Sequence, residues 1–287
     1  LVVLADAEVL AADGLRQPED GAVAEAAREA QQRQQRVADA VAAGRARLGE
    51  YAVLDAGGRL IHLECPLRLQ LSDDGPHLPA GQWLPSARRG GLLPQVDLIA
   101  IRLALAAISG DGLPRAANVC LQSLAGEGFV DAVAQALSQA GDAAARLSLE
   151  WVADWPDIDM AAAAHAVETW RPLGARMGAE HAGGAPEQLE KLRDLGFDYV
   201  KVDARHLKGV ASDPATQAYA RSLAGLIRLL GMQALAEGVD DRDDLQQLWA
   251  LGFDGATGSA LGASAPPAGT IGSASDQTSS GDLTPAS

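Results

Sequence analysis

The order of segments along this chain points to an α/β fold closed into a TIM-like (β/α)8 barrel. Short apolar runs of strand length alternate with longer stretches of helical periodicity, the pattern of βα units around a parallel sheet. About eight such runs fall within roughly 230 residues, which suits one closed barrel better than two open-sheet domains. No GxGxxG follows the first strand, and Gly110-Asp-Gly112 reads as a turn, so a doubly wound sheet is the weaker alternative.

Taken in order, residues 1–34 are rich in Ala, Gln, Glu and Arg, with a polar, weakly amphipathic helix over Val23–Gln35. This segment reads as a linker. Tyr51–Asp55 and Leu60–Glu64 flank Ala56-Gly-Gly-Arg59 and predict an antiparallel hairpin. Further strands are predicted at Ala116–Leu121, Arg146–Val152, Arg176–Ala182, Asp198–Asp203, Gln233–Val239 and Phe253–Thr257. The intervening helices are Val96–Ile108, Phe129–Gln139, Ile158–Leu173, Glu187–Leu195, Thr216–Leu230 and Arg242–Leu251. The barrel domain therefore occupies 35–262. Residues 263–287 hold Ser, Gly, Ala, Pro and Thr with almost no large apolar side chains, a composition that predicts a disordered tail.

The 287 residues are 48% apolar and carry 38 acids against 23 bases, a net charge of −15. The apolar fraction suffices for a large core, and the charge argues against duplex DNA and anionic membranes as partners. A small anionic ligand remains open, because a local site can oppose the global field. Cys65 and Cys120 lie in apolar surroundings and read as buried reduced thiols of a cytoplasmic protein. The apolar run Leu1–Ala5 is too short for a membrane helix or signal peptide. A chain that begins with Leu is expected to be a fragment, with the cytoplasmic part of an inner-membrane protein as one origin.

Nearly every strand carries a polar residue in or at the end of its apolar run. They are Glu64, Asn118, Glu150, Glu180 with His181, Lys201 with Asp203, Glu237 and Thr257. In a barrel the strand ends converge on one face, so these side chains are expected around one cavity. A single such residue is most simply a strand end entering solvent; a register of seven is not. Clustered carboxylates with an amide suit Mg²⁺, Mn²⁺ or Ca²⁺, and a lysine among them suits a phosphate, which together suggest phosphate-ester chemistry or a descendant of it.

Leu63-Glu-Cys-Pro-Leu-Arg-Leu69 resembles the signature of EAL domains, barrel phosphodiesterases of the bacterial messenger cyclic di-GMP. The resemblance continues through Asn118-Val-Cys120, Leu149-Glu150, Tyr199-Val-Lys-Val-Asp203 and Ala236-Glu-Gly-Val239, covering about 36–262. It implies metal positions at Glu64, Asn118, Glu150 and Glu180. It also implies ligand positions at Leu67, Arg68, Asp97, Lys201, Asp203, Glu237 and Thr257, with Arg68 on a phosphate and Asp97 on a guanine edge. Four positions depart from the family pattern. A paired aspartate is replaced by Glu180-His181, the signature Ala-Leu by Cys65-Pro66, a loop Glu by Ala153 and a late Gln by Thr257. With a mostly neutral imidazole at 181, cation affinity and in-line geometry both weaken, so Glu64, Lys201 and Glu237 are vestigial catalytic residues. The short stretches Glu180-His-Ala-Gly183 and Phe253-Asp-Gly-Ala-Thr-Gly258 are similar to those of LapD-type receptors, in which a degenerate EAL domain senses the nucleotide. Residues 1–14 resemble the last helix of a GGDEF domain.

Other features have plainer readings. Trp151 is expected in the core rather than against a base, and His62, His77, His165 and His206 in packing or surface roles. Asp240–Asp244 caps a helix start, and Arg88-Arg89 is a solvated pair. Three functions compete: a cyclic di-GMP receptor needing no cofactor, a weak Mg²⁺- or Mn²⁺-dependent phosphodiesterase forming linear pGpG, and a scaffold without nucleotide. A partner protein, adjacent GGDEF or HAMP-type domains, or a homodimer would carry the output; Arg68 and Asp97 favour the receptor.

Overall fold

The computed structural model describes residues 18–152, 159–183 and 187–262. The sequence readings of residues 1–17, of Ala153 and of the tail lie outside these residues. The described strands are β1 (Ala46–Leu48), β2 (Tyr51–Leu54), β3 (Leu60–Glu64), β4 (Leu67–Gln70), β5 (His77–Leu78), β6 (Arg115–Asn118), β7 (Leu147–Val152), β8 (Arg176–Ala182), β9 (Tyr199–Asp203), β10 (Gln233–Glu237) and β11 (Gly255–Ala256). The helices are α1 (Pro18–Ala42), α2 (Leu84–Arg89), α3 (Leu93–Asp111), α4 (Phe129–Ala140), α5 (Met160–Trp170), α6 (Glu187–Leu195), α7 (Pro214–Leu229) and α8 (Arg242–Ala250).

Eight strands close the barrel in the order β2-β3-β6-β7-β8-β9-β10-β11. All neighbours are parallel except at β2, which runs antiparallel to both β3 and β11. The predicted hairpin thus supplies the one reversed strand. Helix starts follow simple capping chemistry. Asp159, Asp213 and Asp241 each accept from two backbone N–H groups at the first turns of α5, α7 and α8, which accounts for part of the acidic run at 240–244.

Two features depart from the sequence reading. A second, three-stranded antiparallel sheet, β1-β4-β5, flanks the barrel; its strands are too short for periodicity to reveal. The helix expected to end at Gln35 runs on to Ala42, across the proposed 34/35 boundary. Its last turns bury Ala40 and pack Val37 with Leu67, Leu69, Trp83, Val96 and Ala100, so they belong to the domain's packing. Helix α3 has the length and hydropathy of a membrane span, yet Val96, Ile101, Leu105 and Ile108 are buried within the fold.

Between barrel and helices, Trp151 stacks edge-on to Trp170 at 6.2 Å and to Phe197 at 5.3 Å. Trp151 is fully buried, as the core reading expects. Inside the barrel the decisive contact is Tyr199 across Gly178. A Cβ at Gly178 would lie 2.3 Å from the Tyr199 ring, so only glycine admits the tyrosine there. Gly178→Ala is expected to lower stability by about 1–3 kcal/mol through overpacking. By contrast Gly225, exposed within α7 with open space at its Cβ position, should become more stable by about 0.5–1 kcal/mol as alanine. Urea midpoints of the two variants check both signs.

Candidate functional site

Barrel closure brings the predicted polar residues to the carboxyl ends of their strands. Glu64, Glu180, His181, Asp203, Glu237 and Thr257 line one cavity of about 770 Å³ at the mouth. Lys201, Glu150 and Asn118 are placed differently.

Lys201 is 1% exposed and lies beneath the mouth. Its Nζ is 2.6 Å from Glu150 Oε1 and 2.8 Å from Glu64 Oε1. Burial alone would lower the lysine pKa, but the charges of Glu150 and then Glu64 outweigh it and hold it above the usual lysine range. Glu150, equally buried, is pulled below the usual carboxylate range: burial opposes this, and Lys201 prevails. Tyr199 donates its hydroxyl to Glu150 Oε1 at 2.6 Å. His62 places Nε2 3.6 Å from the same oxygen and stacks at 5.3 Å on the Tyr199 ring. Burial, then Lys201, pushes the His62 pKa down to about 3, so the imidazole is neutral. Because the ammonium is enclosed by these groups, it reaches the cavity only through Glu64.

The strand β8 carries a bulge at the site. Its register to β9 shifts between Ala179 and Ala182, so Glu180 and His181 together oppose Lys201. Such a bulge frees consecutive side chains from strict alternation and re-aims them. Both residues reach the mouth. His181 adopts φ +58°, the one non-glycine positive φ among the described residues. This turn lets its backbone N–H donate to Glu237 Oε2 at 3.3 Å while its ring Nδ1 pairs with Glu237 Oε1. Asp203 Oδ2 lies 3.5 Å from the same nitrogen. The hydrogen bond to Glu237, against the opposing effect of burial, raises the His181 pKa to about 9. The expectation of a neutral imidazole is therefore corrected: three surrounding carboxylates make it an imidazolium at neutral pH. Glu180 accepts from Asn118 Nδ2 at 2.7 Å, and burial and the Glu150 charge raise its pKa to about 7.

A second cavity of about 470 Å³ adjoins the mouth and shares Glu180 and His181 with it. Leu67, Trp83, Arg88 and Asp97 are among its walls. Asp97 is 4% exposed and takes the Cys120 N–H at 2.8 Å and the Ser123 hydroxyl at 2.6 Å on one oxygen, Oδ2. Burial raises its pKa to about 7, with both hydrogen bonds pulling the other way. Cys65 and Cys120 are free, and burial pushes both thiols up to about 12, as expected of unreactive cysteines. Arg68 belongs to neither wall. It sits on β4, outside the barrel, where strand alternation points Leu67 and Leu69 into the core and leaves Arg68 beside Tyr51. Trp83, Arg88 and Tyr51 were not foreseen as site residues; the pairing of Tyr51 with Glu64 across the hairpin is the signal that marks the last.

The four residues proposed to hold Mg²⁺ or Mn²⁺ do not form one cage. Lys201 pairs with one oxygen each of Glu64 and Glu150, and Asn118 donates to one oxygen of Glu180. Among the described residues, the acid and histidine ligand atoms that converge, within 4.8 Å, are those of His181, Asp203 and Glu237. There the imidazolium already supplies the positive charge. The original donor set does not fit a divalent ion as arranged.

The site is thus a cluster of acids at the carboxyl mouth of a closed α/β barrel, above a buried lysine. The profile of the EAL domain matches residues 37–264, and the chain belongs to the EAL-domain family. It is 26% identical over 219 residues to "Cyclic di-GMP phosphodiesterase PdeB" of Shewanella oneidensis, covering 74% of this chain and 25% of that protein. A similar match, 27% identical over 196 residues, is to "Cyclic di-GMP phosphodiesterase NbdA" of Pseudomonas aeruginosa, covering 66% of this chain and 25% of that one. The chain thus spans about a quarter of the length of these relatives. Among solved structures, the PaMucR phosphodiesterase in complex with c-di-GMP superposes with a TM-score of 0.71 at 25% identity, covering 80% of this chain and 96% of that one. Vibrio cholerae LapD, solved as S helix-GGDEF-EAL bound to c-di-GMP, gives 0.70 at 20% identity over 80% of this chain and 56% of that chain, a likeness of fold.

His62 provides a test of the buried network. Its folded pKa, about 3, lies below the ordinary 6.5, so the unfolded chain takes up the proton first. Stability from this group is full above pH 6.5 and falls as the pH drops toward 3, at up to about 1.4 kcal/mol per pH unit. His62→Gln should therefore lose less stability than the unsubstituted protein between pH 6.5 and 4.5, read from urea midpoints.

Proposed function

We propose that this EAL domain is a catalytically degenerate receptor for cyclic di-GMP. The observation that carries the reading is His181: where active members place a paired acid, its ring Nδ1 sits between Glu237 Oε1 and Asp203 Oδ2. In-line phosphodiester hydrolysis by two metals needs carboxylates free to bridge them. Here those carboxylates are engaged by Lys201, Asn118 and His181. Binding asks for less: a groove, a guanine acceptor and a positive charge for phosphate. Two adjoining cavities, Asp97 in the second of them, and Arg68 bonded to Tyr51 of the mouth wall support that minimal set. The named activities of the PdeB and NbdA relatives, and the c-di-GMP in the PaMucR and LapD structures, support this choice of ligand. No cofactor is required on this reading, and the signal passes to a neighbouring domain such as GGDEF, a partner protein or a second copy, on the cytoplasmic side of the membrane.

Calorimetric titration with cyclic di-GMP, with and without Mn²⁺, should be paired with chromatography for pGpG. Micromolar binding without turnover is expected. Steady pGpG formation lost in Glu64→Ala would establish the phosphodiesterase instead, and no heat under either condition would leave a scaffold. Arg68→Ala should weaken binding by about 1.5–3 kcal/mol, the worth of a charge-assisted phosphate contact. Unchanged affinity in that variant would remove Arg68 from the site.

A further inference from the structure

Arg68 lies near the mouth with a charge that nothing cancels. Among the described residues no carboxylate lies within ion-pair distance of it. Its guanidinium instead donates from Nη2 to the hydroxyl of Tyr51 at 2.6 Å. A phenol holds an arginine in place without neutralising it, which a carboxylate in the same position would do. The two residues come from different sheets. Tyr51 opens β2 of the barrel opposite Glu64, and Arg68 sits mid-strand in β4 of the side sheet opposite Arg47.

The backbone between these sheets is shaped around the pair. Gly49 joins β1 to β2, and a Cβ there would lie 3.1 Å from Arg68 Nε and 3.3 Å from Tyr51 Cε2. Its N–H is fixed to the Pro66 carbonyl at 2.9 Å, so the segment has little room to retreat. Tyr51 is itself 47% exposed and forms part of the mouth wall. A half-exposed tyrosine whose hydroxyl is tied back to an unneutralised arginine contributes little to the core. Its place at the cavity makes it part of ligand capture.

We infer that Tyr51 is a positioning residue that holds the Arg68 guanidinium at the rim of the mouth for a phosphate of the bound nucleotide. The inference rests on the receptor reading for the identity of the ligand. The hydrogen bond restricts one of the most flexible side chains before the ligand arrives, so less rotamer freedom is lost on binding. Tyr51 acts through Arg68 rather than on the phosphate.

A double-mutant cycle tests this, with cyclic di-GMP titrated calorimetrically into the whole chain and into Y51F, R68A and Y51F/R68A. Removing the hydroxyl alone should weaken binding about three- to ten-fold, the scale of one net hydrogen bond. In the R68A background the same substitution should change nothing. Unchanged affinity in Y51F, or an equal loss in both backgrounds, overturns the positioning role. A protein that binds no cyclic di-GMP at all overturns the receptor reading instead. The positioning is then decided by ¹⁵N relaxation at Arg68 Nε: an order parameter that falls in Y51F supports it, and one that stays constant overturns it. Thermal midpoints of Y51F and the unsubstituted chain control for general destabilisation.

Discussion

The buried ammonium of Lys201 sets the terms for the barrel interior. A cation enclosed at 1% exposure is tolerable only if carboxylates meet it at close range and their remaining oxygens are satisfied. Glu150 and Glu64 meet it, and Tyr199 completes Glu150. Gly178 makes room for the tyrosine ring, and His62 stays neutral because it is buried and, secondly, because Lys201 would repel its charge. Five barrel residues on four strands are thereby constrained by one charge. Removing either partner would strand a buried ion.

The mouth above this layer solves the same problem differently. Glu180, Asp203 and Glu237 crowd one rim, and a divalent ion is the usual answer to such crowding. Here His181 answers it with its own proton. The strained left-handed backbone and the bulge in β8 exist at the one place where they deliver both the N–H and the ring of His181 to Glu237. Lys201 and His181 thus offset part of the acidity gathered at the site. Arg68, tied to the Tyr51 hydroxyl, adds a positive charge beside the mouth.

Much of this was legible in the residues. Period-two and helical patterns located the barrel strands within a few positions, because strands buried on both faces read as apolar runs whatever their neighbours. The polar exception at each strand end marked the mouth, because the topology gathers all carboxyl ends on one side. Less was legible where side chains answer to partners distant in sequence. The side sheet was invisible because three- and two-residue strands carry no period. Lys201 was expected to reach ligand and is instead enclosed, and His181 was expected neutral and is charged. In each case the deciding groups come from other strands.

The residue order by itself therefore determined the α/β barrel, the reversed first strand, the acid-capped start of α8 and most of the polar residues that line the mouth. These follow from periodicity and local hydrogen bonding, which act over a few residues. Only the tertiary structure decided which of those residues pair with one another. It put Lys201 under the mouth, split the expected metal ligands into separate pairs, charged His181 and tied Arg68 to Tyr51. Ionisation and pairing depend on distances of a few ångströms between segments as much as 137 residues apart along the chain, as Glu64 and Lys201 are. Such distances exist only once the barrel has closed.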